Sequence, residues 1–224
     1  MPSSESALRR HDLVWLDETR WRDALLTPLP GEWLEPLSRW FSRGRPAVVR
    51  RRDSNAARAL SLGVALPPAQ GKLKLPLLVD PSALVRSSGP LTLAAAAVTA
   101  PTHWQTWLQC LLVSARCIGV ELRVYGSVAW QHLSGEPYLT PSSDVDLLWS
   151  AGNPTQLEEM LEILIQWQRA SGLSADGELL FFDGAVAWKE LLSRPSNVLV
   201  KRTAAVEMRP LADVLSLLRA EAAC

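Results

Sequence analysis

A chain of 224 residues with 48% hydrophobic and 21% charged side chains can bury one large core or two small ones, which excludes an intrinsically disordered protein. Its 23 basic residues balance its 23 acidic ones. That neutrality argues against bulk nucleic-acid binding or attraction to an anionic membrane, and any basic pocket has to be local.

From the N-terminus, MPSSESALRRHDLVWL lacks an apolar run of signal-peptide length. Most of the prolines and several strand-like runs, among them AVVRRR and KLKLPLLV, fall before residue 95, with turns at Gly44, Pro67-Pro68 and Gly71. Residues 1–95 are therefore expected to form a small β-rich domain with a few helical turns. The stretch VRSSGPLTLAAAAVTAP reads as a linker. Its apolar part is short, carries two threonines and ends in proline, so it cannot span a bilayer.

Beyond it, helix and strand alternate. THWQTWLQCLLVSARCIG carries Trp104, Leu108, Leu111 and Leu112 at helical spacing and stops near Gly119. Cys110 and Cys117 lie in this pattern and are expected to be buried thiols. With Cys224 they make an odd number and no CxxC pair, which fits a reducing cytoplasm better than a disulfide framework. ELRVYGS reads as a strand ending on Gly126-Ser127, VAWQHL as a short helix, GEPYLTPSS as a loop and DVDLLW as the next strand. Thr155 and Glu158 form a capping box for a helix to about Ala170, with Leu157, Met160, Leu161, Leu164 and Ile165 on its core face. GELLFFDGAVAW predicts a hairpin over Asp183-Gly184, NVLVKR a further strand, and PLADVLSLLRAEAA a closing helix with proline in its first turn. The expected fold is α+β, with a β-rich domain over 1–95 and a mixed-sheet domain with flanking helices over 96–224.

The chemistry concentrates in YGSVAWQHLSGEPYLTPSSDVDLLW, residues 125–149. Alternation puts Asp144 and Asp146 on one strand face between apolar flanks, and two like charges that close are costly unless a cation joins them. Gly126 lets the backbone approach a phosphate, while the Ser127 hydroxyl and the following amides can donate to its oxygens at a helix start. Magnesium, with manganese as the alternative, takes a few carboxylates together with phosphate oxygens and water. Two such ions about 3.5–4 Å apart can activate an attacking hydroxyl and stabilise departing pyrophosphate. A metal already lowers the pKa of that hydroxyl, so His132 is assigned a structural role. Trp130, Trp149 and Trp188 are assigned to core packing.

Strand, Gly-Ser, helix, loop and Asp-x-Asp strand, in that order, resemble the nucleotidyltransferase superfamily. The sixteen residues between Ser127 and Asp144 form a longer loop than most members have. The phrases RVYGSVAWQHLSGEPYLTPSSDVDLLW, DGEL, AVAWKEL and VLVKR narrow the resemblance to the phosphoribosyl-dephospho-CoA transferases of malonate decarboxylase, also called holo-acyl-carrier-protein synthases. RRHDLVWL and LPPAQGKLKLPLLV extend it over nearly the whole chain.

This resemblance implies an enzyme that transfers 2'-(5''-triphosphoribosyl)-3'-dephospho-CoA to a serine of the acyl-carrier subunit of malonate decarboxylase, with release of pyrophosphate. It implies Asp144 and Asp146 as ligands of magnesium and Gly126 and Ser127 as the triphosphate turn. A third carboxylate would be Asp176 or Glu178. Asp176 is preferred because it begins the Asp-Gly-Glu phrase, and the competing reading makes both turn residues. Lys189, Lys201, Arg202 and Arg123 are candidates for the phosphates, and Arg50, Arg51, Arg52, Lys72 and Lys74 for the donor or carrier side. Two rival readings stand beside it. One is an ATP-dependent adenylyltransferase acting on a protein or small molecule; the other is a non-catalytic binding module with the same fold.

Overall fold

The computed structural model describes residues 8–51, 59–71, 73–182 and 184–221; Arg52, Lys72, Asp183 and Cys224 lie outside them. Two compact units divide the chain: the part up to Pro90 together with Thr203–Ala205, and the part from Leu91 without that short segment. Together they form a mixed α+β protein with two sheets among the described residues.

The first unit contains β1 (Leu13–Leu16), α1 (Gly31–Ser42), β2 (Ala47–Val49), β3 (Leu60–Ala65), β4 (Lys74–Val79) and β5 (Leu84–Ser88). Its strands make an antiparallel sheet in the order β4-β3-β2-β1-β5. In β4 the alternation is direct: Leu75, Leu77 and Val79 are buried, while Lys74 and Pro76 are exposed. Where a few helical turns were expected, α1 is a full helix. Pro30 precedes it and Pro36 lies inside it, and this proline-rich texture masks the Leu37, Trp40, Phe41 stripe that it buries. Trp21 packs on Phe41 with ring centroids 5.0 Å apart.

The second unit comprises β6 (Leu91–Thr92), α2 (Leu93–Ala97), α3 (Thr102–Cys117), β7 (Arg123–Val124), α4 (Gly126–Ser134), β8 (Val145–Ser150) and α5 (Pro154–Ser171). It continues with β9 (Ala175–Phe181), β10 (Gly184–Ala187), α6 (Trp188–Leu192), β11 (Asn197–Lys201), β12 (Val206–Pro210) and α7 (Leu211–Glu221). The seven strands run in the order β12-β11-β10-β9-β8-β7-β6. Among the described residues, only β8 and β9 are parallel neighbours. One sheet face is dry: Val145, Leu147 and Trp149 join Leu179, Val198 and Val200 in a single core with Leu108 of α3, Met160 and Leu164 of α5, and Val214 and Leu218 of α7. Burying each such side chain contributes about 1.5–3 kcal/mol. The opposite face carries the polar residues that matter below.

Several expectations change. The presumed linker is ordered: Leu91–Thr92 pairs with β7, and Thr92 caps α2 by accepting the Ala95 N–H. Cys110 and Cys117 are exposed, because the buried stripe Trp104, Leu108, Leu111, Ala115 occupies the other side of α3. The cap of α5 is Asn153, whose side chain accepts the Gln156 N–H; Thr155 already lies inside the helix. Gln156 in turn accepts the N–H of Gly152, one residue before the cap, so the helix start is tied two residues upstream of the one expected. The β9–β10 hairpin turns between Phe181 and Gly184. After it come α6 and β12, both unforeseen, and Pro210 ends β12 just before α7. Among the described residues, no helix is long and apolar enough to cross a membrane.

Candidate active site

The parallel register of β8 and β9 sets Asp146 beside Asp176 and Leu148 beside Glu178. Residues paired this way share a sheet face, about 4.8 Å apart. Asp144 precedes β8 by one residue and is exposed, at the end of a turn that Ser143 closes by accepting the Thr140 N–H.

Two glycines make this arrangement possible. Gly126 opens α4 with φ +63°, and a Cβ there would fall 1.8 Å from Oδ2 of Asp146. The backbone of the first helical residue therefore lies directly against that carboxylate. Tyr125, the preceding residue, donates its N–H to the Asp146 carbonyl at 3.1 Å, which ties the helix start to β8. The N-cap residue Tyr125 makes no side-chain capping bond, and half-buried Ser127 sits in the first turn of α4. The N-terminal amides of a helix carry partial positive charge and suit an anion. Gly177 has φ +131°, and a Cβ there would lie 1.9 Å from the Leu147 carbonyl oxygen, so only glycine lets β9 approach β8 at this point. Its N–H donates to Oδ1 of Asp176 at 2.9 Å and aims that carboxylate. Asp176-Gly177 is thus strand interior, not a turn.

The cations divide between the two carboxylates of β9. Lys201 donates from Nζ to Oε1 of Glu178 at 3.0 Å, with the Glu178 side chain only 4% exposed. It reaches across β10, where Ala185 and Ala187 are too small to obstruct it. Glu178 is therefore a buried carboxylate with its charge already matched. Asp176 is half exposed and has Nζ of Lys189 at 4.0 Å. Lys189 also lies 5.9 Å from the ring of buried Trp188. Arg123 pairs with Glu121 at 2.7 Å and Arg202 with Glu207 at 2.9 Å.

Among the described residues, no group of three or more ligand side chains holds a metal position by itself. The donor set does suit a hard divalent cation: two carboxylates side by side, with room for phosphate oxygens and water to complete the shell. His132 lies in the last turn of α4, and its Nδ1 is buried without a hydrogen-bond partner among the described residues. Trp149 and Trp188 are buried in the core.

One organising residue carried no sequence signal. Gln131 accepts the N–H groups of Tyr138 and Leu139 at 3.0 and 3.1 Å and donates to the Thr99 carbonyl at 2.5 Å. It thereby fixes the start of the long loop between α4 and β8. A lone glutamine in a short helix has nothing local to mark it.

The chain matches two family models: the MdcG N-terminal domain of phosphoribosyl-dephospho-CoA transferase over residues 9–90, and the MdcG C-terminal domain over 92–212. It is 43% identical over 204 residues to a phosphoribosyl-dephospho-CoA transferase of Xanthomonas campestris pv. campestris, covering 90% of this chain and 93% of the relative. The corresponding protein of Xanthomonas euvesicatoria pv. vesicatoria is 42% identical, over 86% and 89% of the two chains. That of Bradyrhizobium diazoefficiens is 35% identical, over 86% and 85%. No solved structure matches the chain. With both halves matched and the glycine-flanked carboxylates in place, the chain belongs to the phosphoribosyl-dephospho-CoA transferase family and is a transferase enzyme.

Proposed function

We propose that this enzyme transfers the phosphoribosyl-dephospho-CoA group from its 5''-triphosphate donor to a serine hydroxyl of the acyl-carrier subunit of malonate decarboxylase. The observation that carries the reading is the juxtaposition of Asp146 and Asp176 beside the glycine-started helix α4. The serine oxygen forms a bond to the α-phosphorus and the bond from that phosphorus to the bridging oxygen breaks. Pyrophosphate leaves, and the hydroxyl proton passes to solvent.

Asp146 and Asp176, with Asp144 at the head of β8, would hold magnesium or manganese. When bound, the cation supplies charge neutralisation at the triphosphate and a lowered pKa at the attacking hydroxyl. The chain's own contribution is positional. The first amides of α4 and the Ser127 hydroxyl receive phosphate oxygens, and Lys189 supplies positive charge beside Asp176. Lys201 pairs with Glu178 and can meet the donor with its remaining N–H groups. Exposed Arg50 and Arg51, just beyond β2, would serve recognition of the donor or the carrier in the first unit. A CoA-derived donor and an enzyme subunit as acceptor support a cytoplasmic reaction.

The test is pyrophosphate release. It should require the triphosphate donor, the carrier subunit and a divalent cation together, and ATP should not replace the donor. Release that proceeds equally with ATP would favour an adenylyltransferase, and release unchanged in Asp146→Asn would remove the catalytic role given to β8.

A further inference from the structure

The face of the second sheet that carries the acidic pair continues past the buried Leu148 and Glu178 into exposed apolar ground. By register, Glu178, Ala187, Leu199 and Met208 stand in one row across β9, β10, β11 and β12, and Leu180, Ala185, Lys201 and Val206 form the next. Leu199, Val206 and Met208 are 36%, 39% and 60% exposed, whereas Val198 and Val200 on the reverse face are fully buried. A one-sided sheet normally keeps polar residues on its wet face. Here three large apolar side chains adjoin one another there, on the same face as Asp146 and Asp176.

We propose that this strip is the adenine subsite for the donor, a deepening that rests on the transfer reaction argued above. Strand spacing and rise place Leu199 roughly 12 Å and Met208 roughly 16 Å from Asp176. That is the kind of span which two linked riboses put between the reacting α-phosphate and the purine. Between them β10 presents only the small Ala185 and Ala187, and the Lys201 side chain crosses this strand to Glu178, so the donor would lie over that ion pair. Lys201 edges the path and retains 30% side-chain exposure, which places a cation beside the ribose and phosphate groups. The Leu199 N–H donates to Oε1 of Glu190 at 2.9 Å, so this part of the platform is anchored. A flat aromatic ring suits a flat aliphatic surface, whereas a stable protein partner needs about 800 Å² on each side, far more than three side chains provide.

The test is metal-free binding of dephospho-CoA and of ADP to the full-length protein by calorimetry. The wild type should bind both, and Leu199→Asp and Met208→Asp should weaken both at least tenfold with circular dichroism unchanged. Met208→Gln, close in shape to the native side chain, provides a milder variant in case the carboxylate disturbs β12. Asp146→Asn should bind dephospho-CoA within about twofold of wild type. If Asp146→Asn also transfers normally while Leu199→Asp still loses dephospho-CoA, the catalytic reading fails and the subsite stands. Equal binding by wild type and the strip variants overturns the subsite, as does absence of any wild-type binding at millimolar ligand. Retained nucleotide binding with lost capture of the carrier subunit would overturn it too, and would make the strip a protein-docking surface.

Discussion

At Gly126 the helix backbone and the Asp146 carboxylate contend for the same space, since a single methyl group would sit 1.8 Å from Oδ2. Gly126→Ala should therefore displace the carboxylate and also strain a residue at φ +63°. The expected result is loss of pyrophosphate release by at least a hundredfold and a stability cost of about 1–3 kcal/mol by chemical denaturation. The stability cost should shrink in an Asp146→Ala background, because part of it is the clash. Ser127→Ala removes one donor to a charged oxygen and should cost about 1.5–3 kcal/mol of donor use, roughly ten- to a hundredfold, short of abolition. On β9 the two carboxylates should separate. Asp176→Asn is expected to stop turnover at unchanged melting temperature. Glu178→Gln leaves the Lys201 ammonium facing a neutral partner and should lower stability by about 1–3 kcal/mol. If Glu178→Gln stops turnover without destabilising while Asp176→Asn destabilises and leaves turnover intact, the two roles are reversed.

At the scale of elements, Asn153→Ala tests how α5 begins: it should cost about 1 kcal/mol and leave turnover unchanged, while Thr155→Ala should cost less. An equal cost at both positions would restore the capping box at Thr155. What was legible in the sequence follows from periodicity. The cores of α3 and α5 and the strand around Asp146 announce themselves because Trp104, Leu108, Leu111 and Leu157, Met160, Leu164 repeat at helical spacing while Val145, Leu147 and Trp149 alternate. By contrast, α2 was read as linker because an alanine run has no amphipathic contrast. Its order comes from the Thr92 cap and from Leu93 and Ala96 packing into a core contributed by distant segments. β12 escaped because Val206 and Met208 invert the usual rule and face solvent. At the site, Gly126, Ser127 and the Asp-x-Asp phrase were visible. The pairing of Asp146 with Asp176, and the engagement of Glu178 by Lys201, depend on strand register across twenty to thirty residues of chain, which no local pattern encodes.

For the whole molecule, the boundary between units falls at 90/91, whereas the sequence reading divided the chain at 95/96; the pairing of Leu91–Thr92 with β7 assigns that edge strand to the second sheet. The two family models meet at the same place. Every carboxylate and phosphate-facing residue named for the chemistry lies in the second unit, so photocrosslinking of a triphosphate donor analogue should label residues 91–221, and labelling confined to 1–90 would relocate the site. The central claim is that this sheet face attaches a CoA-derived group to a carrier serine. Intact mass of the malonate decarboxylase acyl-carrier subunit, after incubation with the enzyme, the triphosphoribosyl donor, ATP and magnesium, tests it most directly. The account predicts a gain equal to one phosphoribosyl-dephospho-CoA with the wild type and none with Asp146→Asn; a gain of adenylate, an unchanged mass with the wild type, or full modification by Asp146→Asn would contradict it.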